Sequence, residues 1–238
     1  MKGIVLAGGT GTRLYPLTKV TNKHLLPVGN KPMIYYPIEK LTEAGIVEIL
    51  IVTGTEHMGD VVTLLGSGKD FGCRFTYKVQ DEAGGIAQAL GLAENFTGDE
   101  PMTVVLADNV FESSLKPAIQ TYSGEGAMIL IKQVHDPERF GVVELDGDKI
   151  VNIEEKPPEP KSDYAVTGIY IYDACVFDFI RQLEPSARGE LEITEVNNLY
   201  IQKGDMHYSV LEGWWTDAGT PQSYRLANEL AIKGGREL

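Results

Sequence analysis

Two cysteines, Cys73 and Cys175, are all that 238 residues hold, too few and too far apart for a disulfide framework or a zinc cluster. Both read as reduced, buried small hydrophobes. Positive charge is scarce as well: 21 Lys and Arg face 34 Asp and Glu, for a formal net charge of −13. Proteins that bind nucleic acid gather basic residues against phosphate, so this balance excludes nucleic acid as a general partner. A small anionic substrate would have to be held by a few local Lys and Arg against the field of the rest. No apolar run approaches the ~18 residues of a membrane span. The apolar stretch at 3–7 is also far short of a secretory signal core. The expectation is a cytoplasmic protein with no membrane partner. Internal repeats and low-complexity tracts are lacking too, apart from the loop KPPEPK at 156–161.

What is present is ordinary globular composition, 43% hydrophobic and 23% charged, in a chain long enough for a substantial core. The run GIVLA at 3–7, opening at once into GGTGTR, reads as a buried parallel strand feeding a loop. Helical spacing over 35–44, stopped by Gly45 and followed by VEILIVT at 47–53, makes a βαβ unit. A helix at 58–65, a strand at 74–79, a helix at 86–93 and a strand at 103–106 continue the alternation. Right-handed crossovers stack such units into a parallel sheet with helices on both faces. Beyond that the strands crowd, at 127–133, 141–145 and 150–154, with Asp146-Gly147 as a hairpin signal. A strand at 166–172, a helix at 174–183, a strand at 206–211 and an amphipathic helix at 221–233 ending at Gly234-Gly235 complete the reading. The class is α/β: a mostly parallel central sheet with an antiparallel elaboration, in a single domain over 1–238.

The segment Leu6-Ala7-Gly8-Gly9-Thr10-Gly11-Thr12-Arg13 places three glycines directly after a strand. Backbone N–H groups of such a loop can surround a phosphate, and Arg13 adds a guanidinium suited to bidentate phosphate contact. It is not a P-loop, because no Lys-Ser or Lys-Thr follows Gly11, and Leu14 denies it the third glycine of GxGxxG. A tight turn without a ligand is the bland alternative. Lys23 taken alone reads as a solvated surface charge. Asp108 follows an apolar strand at the end where α/β sheets bind ligands, and suits Mg²⁺ as well as it suits a helix cap. Asp217 is a second acid of the same kind, and two such carboxylates suffice for Mg²⁺ beside substrate phosphates. Glu155 and Lys156 could take sugar hydroxyls and a phosphate, or be an exposed cluster. Gln80 and the small residues ahead of Ile86 suit the edge of a nucleobase.

These segments occur together and in order: LAGGTGTRLYPLT, NKHLLPV, NKPMIYYPIEKL, VQDEAGGIAQAL, LADN, FGVVE, EEKPPEPKSDYAVTGIYIYD, RGELEITEVNN and WWTDAGT. The chain resembles the sugar nucleotidylyltransferases, and among them the glucose-1-phosphate thymidylyltransferases, over nearly its whole length. The resemblance implies a Rossmann-like nucleotidyltransferase fold, with a nucleotide-binding part at about 1–125 and a sugar-binding part at about 126–220. It implies the reaction of dTTP with α-D-glucose 1-phosphate to give dTDP-glucose and pyrophosphate, with Mg²⁺ as cofactor. By this likeness residues 6–13 hold the triphosphate, with Arg13, Lys23 and Lys156 as the catalytic cations. Gln80 and Gly85 read thymine. Gly141, Glu155, Val166, Ile86 and Asn109 line the glucose, Lys156 holds the sugar phosphate, and Asp108 and Asp217 bind the metal. A homotetramer is the family's usual assembly.

The chain departs from the family at Ala107, where Gly is common, at Phe140, where Tyr is common, and at Asp81-Glu82-Ala83, where prolines are usual. The last lies beside the base pocket, so UTP stands as an alternative to dTTP. Longer members carry a further helical segment that contributes to a regulatory site, and the expectation here is a short form whose feedback inhibition is in question. A non-catalytic sugar-nucleotide sensor is the remote reading, disfavoured by the intact Arg13, Lys23, Asp108, Lys156 and Asp217. A dinucleotide-dependent oxidoreductase is disfavoured by the failed GxGxxG.

Overall fold

The computed structural model describes residues 1–234. The strands are β1 (Lys2–Ala7), β2 (Pro27–Val28), β3 (Lys31–Pro32), β4 (Glu48–Gly54), β5 (Arg74–Gln80), β6 (Met102–Leu106) and β7 (Asn109–Phe111). They continue as β8 (Ala127–Gln133), β9 (Gly141–Asp146), β10 (Lys149–Glu155), β11 (Tyr164–Tyr172), β12 (Met206–Val210) and β13 (Trp215–Asp217). The helices are α1 (Tyr35–Glu43), α2 (Met58–Leu65), α3 (Ile86–Gly91), α4 (Glu94–Thr97), α5 (Lys116–Thr121), α6 (Val176–Ile180), α7 (Ile193–Lys203) and α8 (Pro221–Gly234).

The main sheet runs β5-β4-β1-β6-β11-β8-β12, with the β9–β10 hairpin attached through β11. β4 and β6 lie parallel to β1, β5 parallel to β4 and β12 parallel to β8. β11 is antiparallel to both of its neighbours, β6 and β8. It is therefore the single reversed strand of these seven, and the mostly parallel reading holds. Alternation divides the core between the two faces. Ile4 and Leu6 of β1 pack with α3, α6 and α7, whereas Val5 and Ala7 pack with α1, α2 and α5.

The Asp146-Gly147 signal is a hairpin as expected, with Asp146 opposite Lys149 and Gly147 at φ 58°. Several boundaries differ from the sequence reading. The helix expected at 86–93 ends at Gly91 as α3, with α4 following it from Glu94, and the one expected at 174–183 shrinks to α6. Cys73 is buried, but Cys175 is only half-buried. Gly235 lies outside the described residues. α7 was not read from the sequence at all. Its inward positions Ile193, Thr194, Val196, Asn197 and Tyr200 have helical spacing, but two of the five are polar and break the apolar stripe that marks such a helix.

β11 is irregular where it passes the sheet's carboxyl edge. Its pairing with β8 shifts register between Val166 and Tyr170, and Gly168 within that bulge has φ 77°. A Cβ there would stand 2.8 Å from Leu106 Cδ1 and 2.9 Å from Asn109 Nδ2. Only glycine meets both demands, and the bulge turns Val166 and Thr167 toward the cleft described next.

Candidate active site

A cleft of about 340 Å³ opens beyond the carboxyl ends of β1, β5 and β6, where open α/β sheets bind their ligands. Its walls carry Arg13, Lys23, Arg139 and Lys156 against Asp108, Glu155, Glu190 and Asp217. The four cations balance the four acids within a chain of net charge −13. The site thus escapes the surrounding negative field through a local concentration of Lys and Arg.

Of the residues singled out in the sequence, Leu6, Gly8, Gly9, Arg13, Lys23, Gln80, Gly85, Ile86, Asp108, Asn109, Gly141, Glu155, Lys156, Val166 and Asp217 all line this cleft. Ala7, Thr10, Gly11 and Thr12 are not among its lining residues. Ala7 is buried in the core and Thr10 and Thr12 are exposed. Gly11 sits behind the wall at φ 63°, where a Cβ would approach Thr18 Cγ2 at 3.1 Å and Lys23 Cβ at 3.3 Å. Its missing side chain lets the glycine loop and the Lys23 segment close against each other.

Lys23 Nζ donates to Asp108 Oδ2 at 2.7 Å in an ion pair whose side chains are only 12% and 14% exposed. Asp108 does not cap a helix, since β6 passes through it into β7. Burial works against its charge, but Lys23 above all, with Arg13, holds the carboxyl down to about 2. His24 lies beneath, with its Nδ1 2.8 Å from Asn22 Oδ1. Burial, then the charge of Lys23, lowers its pKa to about 3, so the imidazole is neutral.

Asp217 reaches the same spot because β13 pairs with β7, setting Asp217 opposite Asn109. Arg139 Nη2 donates to Asp217 Oδ1 at 2.9 Å and Oδ2 at 3.1 Å. Burial and the neighbouring Asp108 outweigh Arg139 and push the Asp217 carboxyl up to about 6. A Cβ built on Gly219 would lie 3.2 Å from Arg13 Nη2, 3.2 Å from Asp217 Oδ2 and 3.5 Å from Asp108 Oδ2. Three charged groups from distant parts of the chain therefore converge over one glycine.

The opposite wall belongs to β10 and α7. Thr194 Oγ1 donates to Glu155 Oε2 at 2.7 Å, while Lys156 and Arg188 approach Glu155 Oε1 at 3.0 and 3.3 Å. Despite burial, the Thr194 hydrogen bond and the Lys156 charge lower the Glu155 pKa. Gly141 leaves this surface open: a Cβ there would touch Thr194 Oγ1 at 3.4 Å and Glu155 Oε2 at 3.5 Å. Lys156 is one of two non-glycine residues with positive φ among the described residues, at 48°. An L-residue held there carries strain of about 1–3 kcal/mol, and such strain clusters at functional sites.

Gln80, at the end of β5, donates from Nε2 to Gln88 Oε1 at 2.7 Å and to Gly85 O at 3.3 Å. Its Oε1 lies over Gly8, 2.5 Å from where a Cβ would be. The Gly84-Gly85 turn is fastened to the segment leading into α7: Leu191 N donates to Gly84 O at 2.8 Å and Ala87 N to Leu191 O at 3.2 Å. A Cβ on Gly85 would lie 2.5 Å from Leu191 O.

Sequence reasoning missed Arg139, Glu190, Thr194, Tyr170 and Trp215 as cleft residues. Arg139 stands beside FGVVE and Trp215 inside WWTDAGT, so their motifs were seen without their roles. Trp215 Nε1 donates to Asn109 Oδ1 at 2.7 Å, and its ring stands edge-on to Phe140 at 5.3 Å. Glu190 and Thr194 likewise stand inside RGELEITEVNN, at the start of the helix that the sequence reading did not assign.

A parallel-sheet edge, a glycine loop with Arg13, a pair of facing carboxylates and a separate polar pocket define a nucleotidyltransferase. In agreement, residues 2–234 match the nucleotidyl transferase family model. A glucose-1-phosphate thymidylyltransferase of Neisseria meningitidis is 48% identical over 232 residues, 94% of this chain and 80% of its own length. That of Mycolicibacterium smegmatis is 44% identical over 225 residues, 92% of this chain and 78% of its own. A Bacillus anthracis structure assigned to glucose-1-phosphate thymidylyltransferase, in complex with sucrose, superposes with a TM-score of 0.94 at 58% identity, covering 100% of this chain and 97% of that one. A UDP-glucose pyrophosphorylase complexed with UDP-glucose gives a TM-score of 0.84 at 26% identity, covering 98% of each chain. The chain belongs to the nucleotidyl transferase family, and within it to the glucose-1-phosphate thymidylyltransferases.

Proposed function

We propose that this protein transfers a thymidylyl group from dTTP to α-D-glucose 1-phosphate, giving dTDP-glucose and pyrophosphate. The observation that carries the reading is the meeting of Arg13, Asp108 and Asp217 over Gly219, in the cleft that Gly8, Gly9, Glu155 and Lys156 also line. A phosphate oxygen of the sugar phosphate attacks the α-phosphorus in line, a new P–O bond forms, and the bond to the β-phosphate oxygen breaks. A phosphate monoester is already an adequate nucleophile, so the reaction needs positioning and charge neutralisation more than a base. Lys156 holds the attacking phosphate. Gly8 and Gly9 offer backbone N–H groups to the triphosphate, while Arg13 and Lys23 take up the charge that grows on the departing pyrophosphate. Glu155 accepts sugar hydroxyls beside Gly141, with Val166, Ile86 and Asn109 completing the wall. Gln80 and Gly85 meet the base.

The donor set fits Mg²⁺: two hard carboxylates, one of them pushed up to about 6 partly by the other, with space for substrate phosphates. Asp108 and Asp217 would hold the ion. When bound it supplies a Lewis-acid charge on the phosphate oxygens. The same proposal includes the division into a nucleotide part at about 1–125 and a sugar part at about 126–220. It also includes a cytoplasmic location and a homo-oligomer, tetrameric by family likeness. Among the described residues no helix is long and apolar enough to cross a membrane.

The test is pyrophosphate release with glucose 1-phosphate and Mg²⁺, run with dTTP, UTP, ATP, CTP and GTP in parallel. Fast release with dTTP is expected. Release with UTP at an equal or greater rate would move the assignment to a uridylyl or dual-specificity enzyme, and silence with every nucleotide would sink it.

A further inference from the structure

The base pocket contains a hydrogen-bond chain whose polarity is fixed from one end. Gly84 N–H, which as a backbone amide can only donate, is shared between Glu82 O at 2.8 Å and Gln88 Oε1 at 3.1 Å. A donor at that position favours the oxygen end of the Gln88 amide facing inward. The same Oε1 then accepts Gln80 Nε2 at 2.7 Å, and Gly85 O accepts the second Gln80 amide hydrogen at 3.3 Å. Both donors of Gln80 are thereby used. What Gln80 has left for the cleft is Oε1, which accepts no hydrogen bond among the described residues and lies against Gly8.

Two glycines of the pocket are explained by this arrangement. A Cβ on Gly84 would fall 2.3 Å from Gln88 Nε2 and 2.6 Å from Gln88 Oε1, and a Cβ on Gly8 would fall 2.5 Å from Gln80 Oε1. Neither glycine has the positive φ that would demand it for backbone reasons. The space they leave is occupied by the two amides.

We propose that Gln88 is a positioning residue for base selection: it locks the Gln80 amide with its oxygen toward the cleft, so that the site takes pyrimidines carrying a ring N–H and rejects cytosine. An unrestrained Gln side chain can offer either end of its amide and so discriminates poorly. A locked acceptor rewards the N3–H of thymine or uracil and meets the N3 lone pair of cytosine with repulsion. This rests on the thymidylyl-transfer reading and adds to it the chemistry that sorts the triphosphates.

The experiment compares kcat/KM for dTTP and dCTP in wild type, Gln88→Leu, Gln88→Glu and Gly84→Ala, with Tm recorded for each. Gln88→Leu frees the Gln80 amide, so the dTTP to dCTP ratio should fall by about tenfold or more, chiefly through KM for dTTP. Gln88→Glu presents carboxylate oxygens to the same two donors and should retain most of the wild-type ratio. Gly84→Ala pushes Gln88 aside and should lose the ratio as Gln88→Leu does, which keeps the test open should Gln88→Leu fold poorly. A folded Gln88→Leu with the wild-type ratio overturns the proposal, as does a Gln88→Glu that loses the ratio equally. The wild-type values test the underlying reading separately: if wild type does not favour dTTP over dCTP, the thymidylyl assignment fails before any variant is considered, and the proposal with it.

Discussion

Lys23 and Asp108 are 85 residues apart and form a 2.7 Å ion pair at the floor of the cleft. The pair joins the loop after β1 to the end of β6, and it holds the carboxylate ionised against burial, which disfavours its charge. Lys23→Met should therefore cost about 3–5 kcal/mol, the usual penalty for stranding one member of a buried pair. Adding Asp108→Asn should restore most of the stability without restoring turnover. Urea melts of the single and double variants check this, and a single variant as stable as wild type would refute it.

His24 gives the fold a pH dependence of definite sign. Its pKa is about 3 in the folded protein against an ordinary imidazole value of 6.5, so the unfolded chain binds the extra proton. Its stabilisation is full above about pH 6.5 and is lost as the pH falls toward 3. His24→Gln removes the titration. The gap in urea midpoint between wild type and variant should narrow from pH 7 to pH 4, and a constant gap would contradict the assignment.

At Lys156 the backbone and the charge can be tested apart. Both Lys156→Gly and Lys156→Ala remove the ammonium group and should lose about 10²-fold or more in turnover. With φ at 48°, glycine should nonetheless be the more stable of the two by about 1 kcal/mol. Equal melting temperatures would argue against strain.

Gly219→Ala should leave the fold intact, because this glycine has no positive φ. The new methyl would press on Arg13 Nη2 and Asp217 Oδ2, both at 3.2 Å. Turnover should drop by about 10²-fold, the effect of an ångström-scale misplacement, with KM for glucose 1-phosphate little changed. Steady-state kinetics with both substrates varied decide it.

Chelation should stop pyrophosphate release, and Mg²⁺ should restore it. Asp108→Asn and Asp217→Asn should each raise the half-saturating Mg²⁺ concentration by about tenfold or more. Release at full rate in EDTA would remove the metal from the proposal.

Much of this was legible in the sequence, and what was not has physical reasons. The parallel sheet could be read because its strands are apolar runs, and the glycine loop because glycines follow a strand directly. The meeting of Asp108 with Asp217 could not be read. It depends on the pairing of β7 with β13, strands of three residues each, too short for any periodicity to register. Arg139 stayed hidden because its partner Asp217 lies 78 residues away. Glu190 and Thr194 stood inside RGELEITEVNN without a role, because the buried Thr194 and Asn197 mask the apolar face of α7. Gln88 showed only as a polar residue in a small-residue helix, since the direction of an amide is written in its neighbours.

The two hydrogen bonds of Leu191 to Gly84 and Ala87 tie the turn beside Gln80 to the segment that carries Glu190 and Thr194. The two walls of the cleft are thereby joined through the backbone of Leu191. On the proposed reading, a product with a base at one end and a hexose at the other would meet both halves of one hydrogen-bonded unit, so a substitution at Leu191 would be felt at both of its ends.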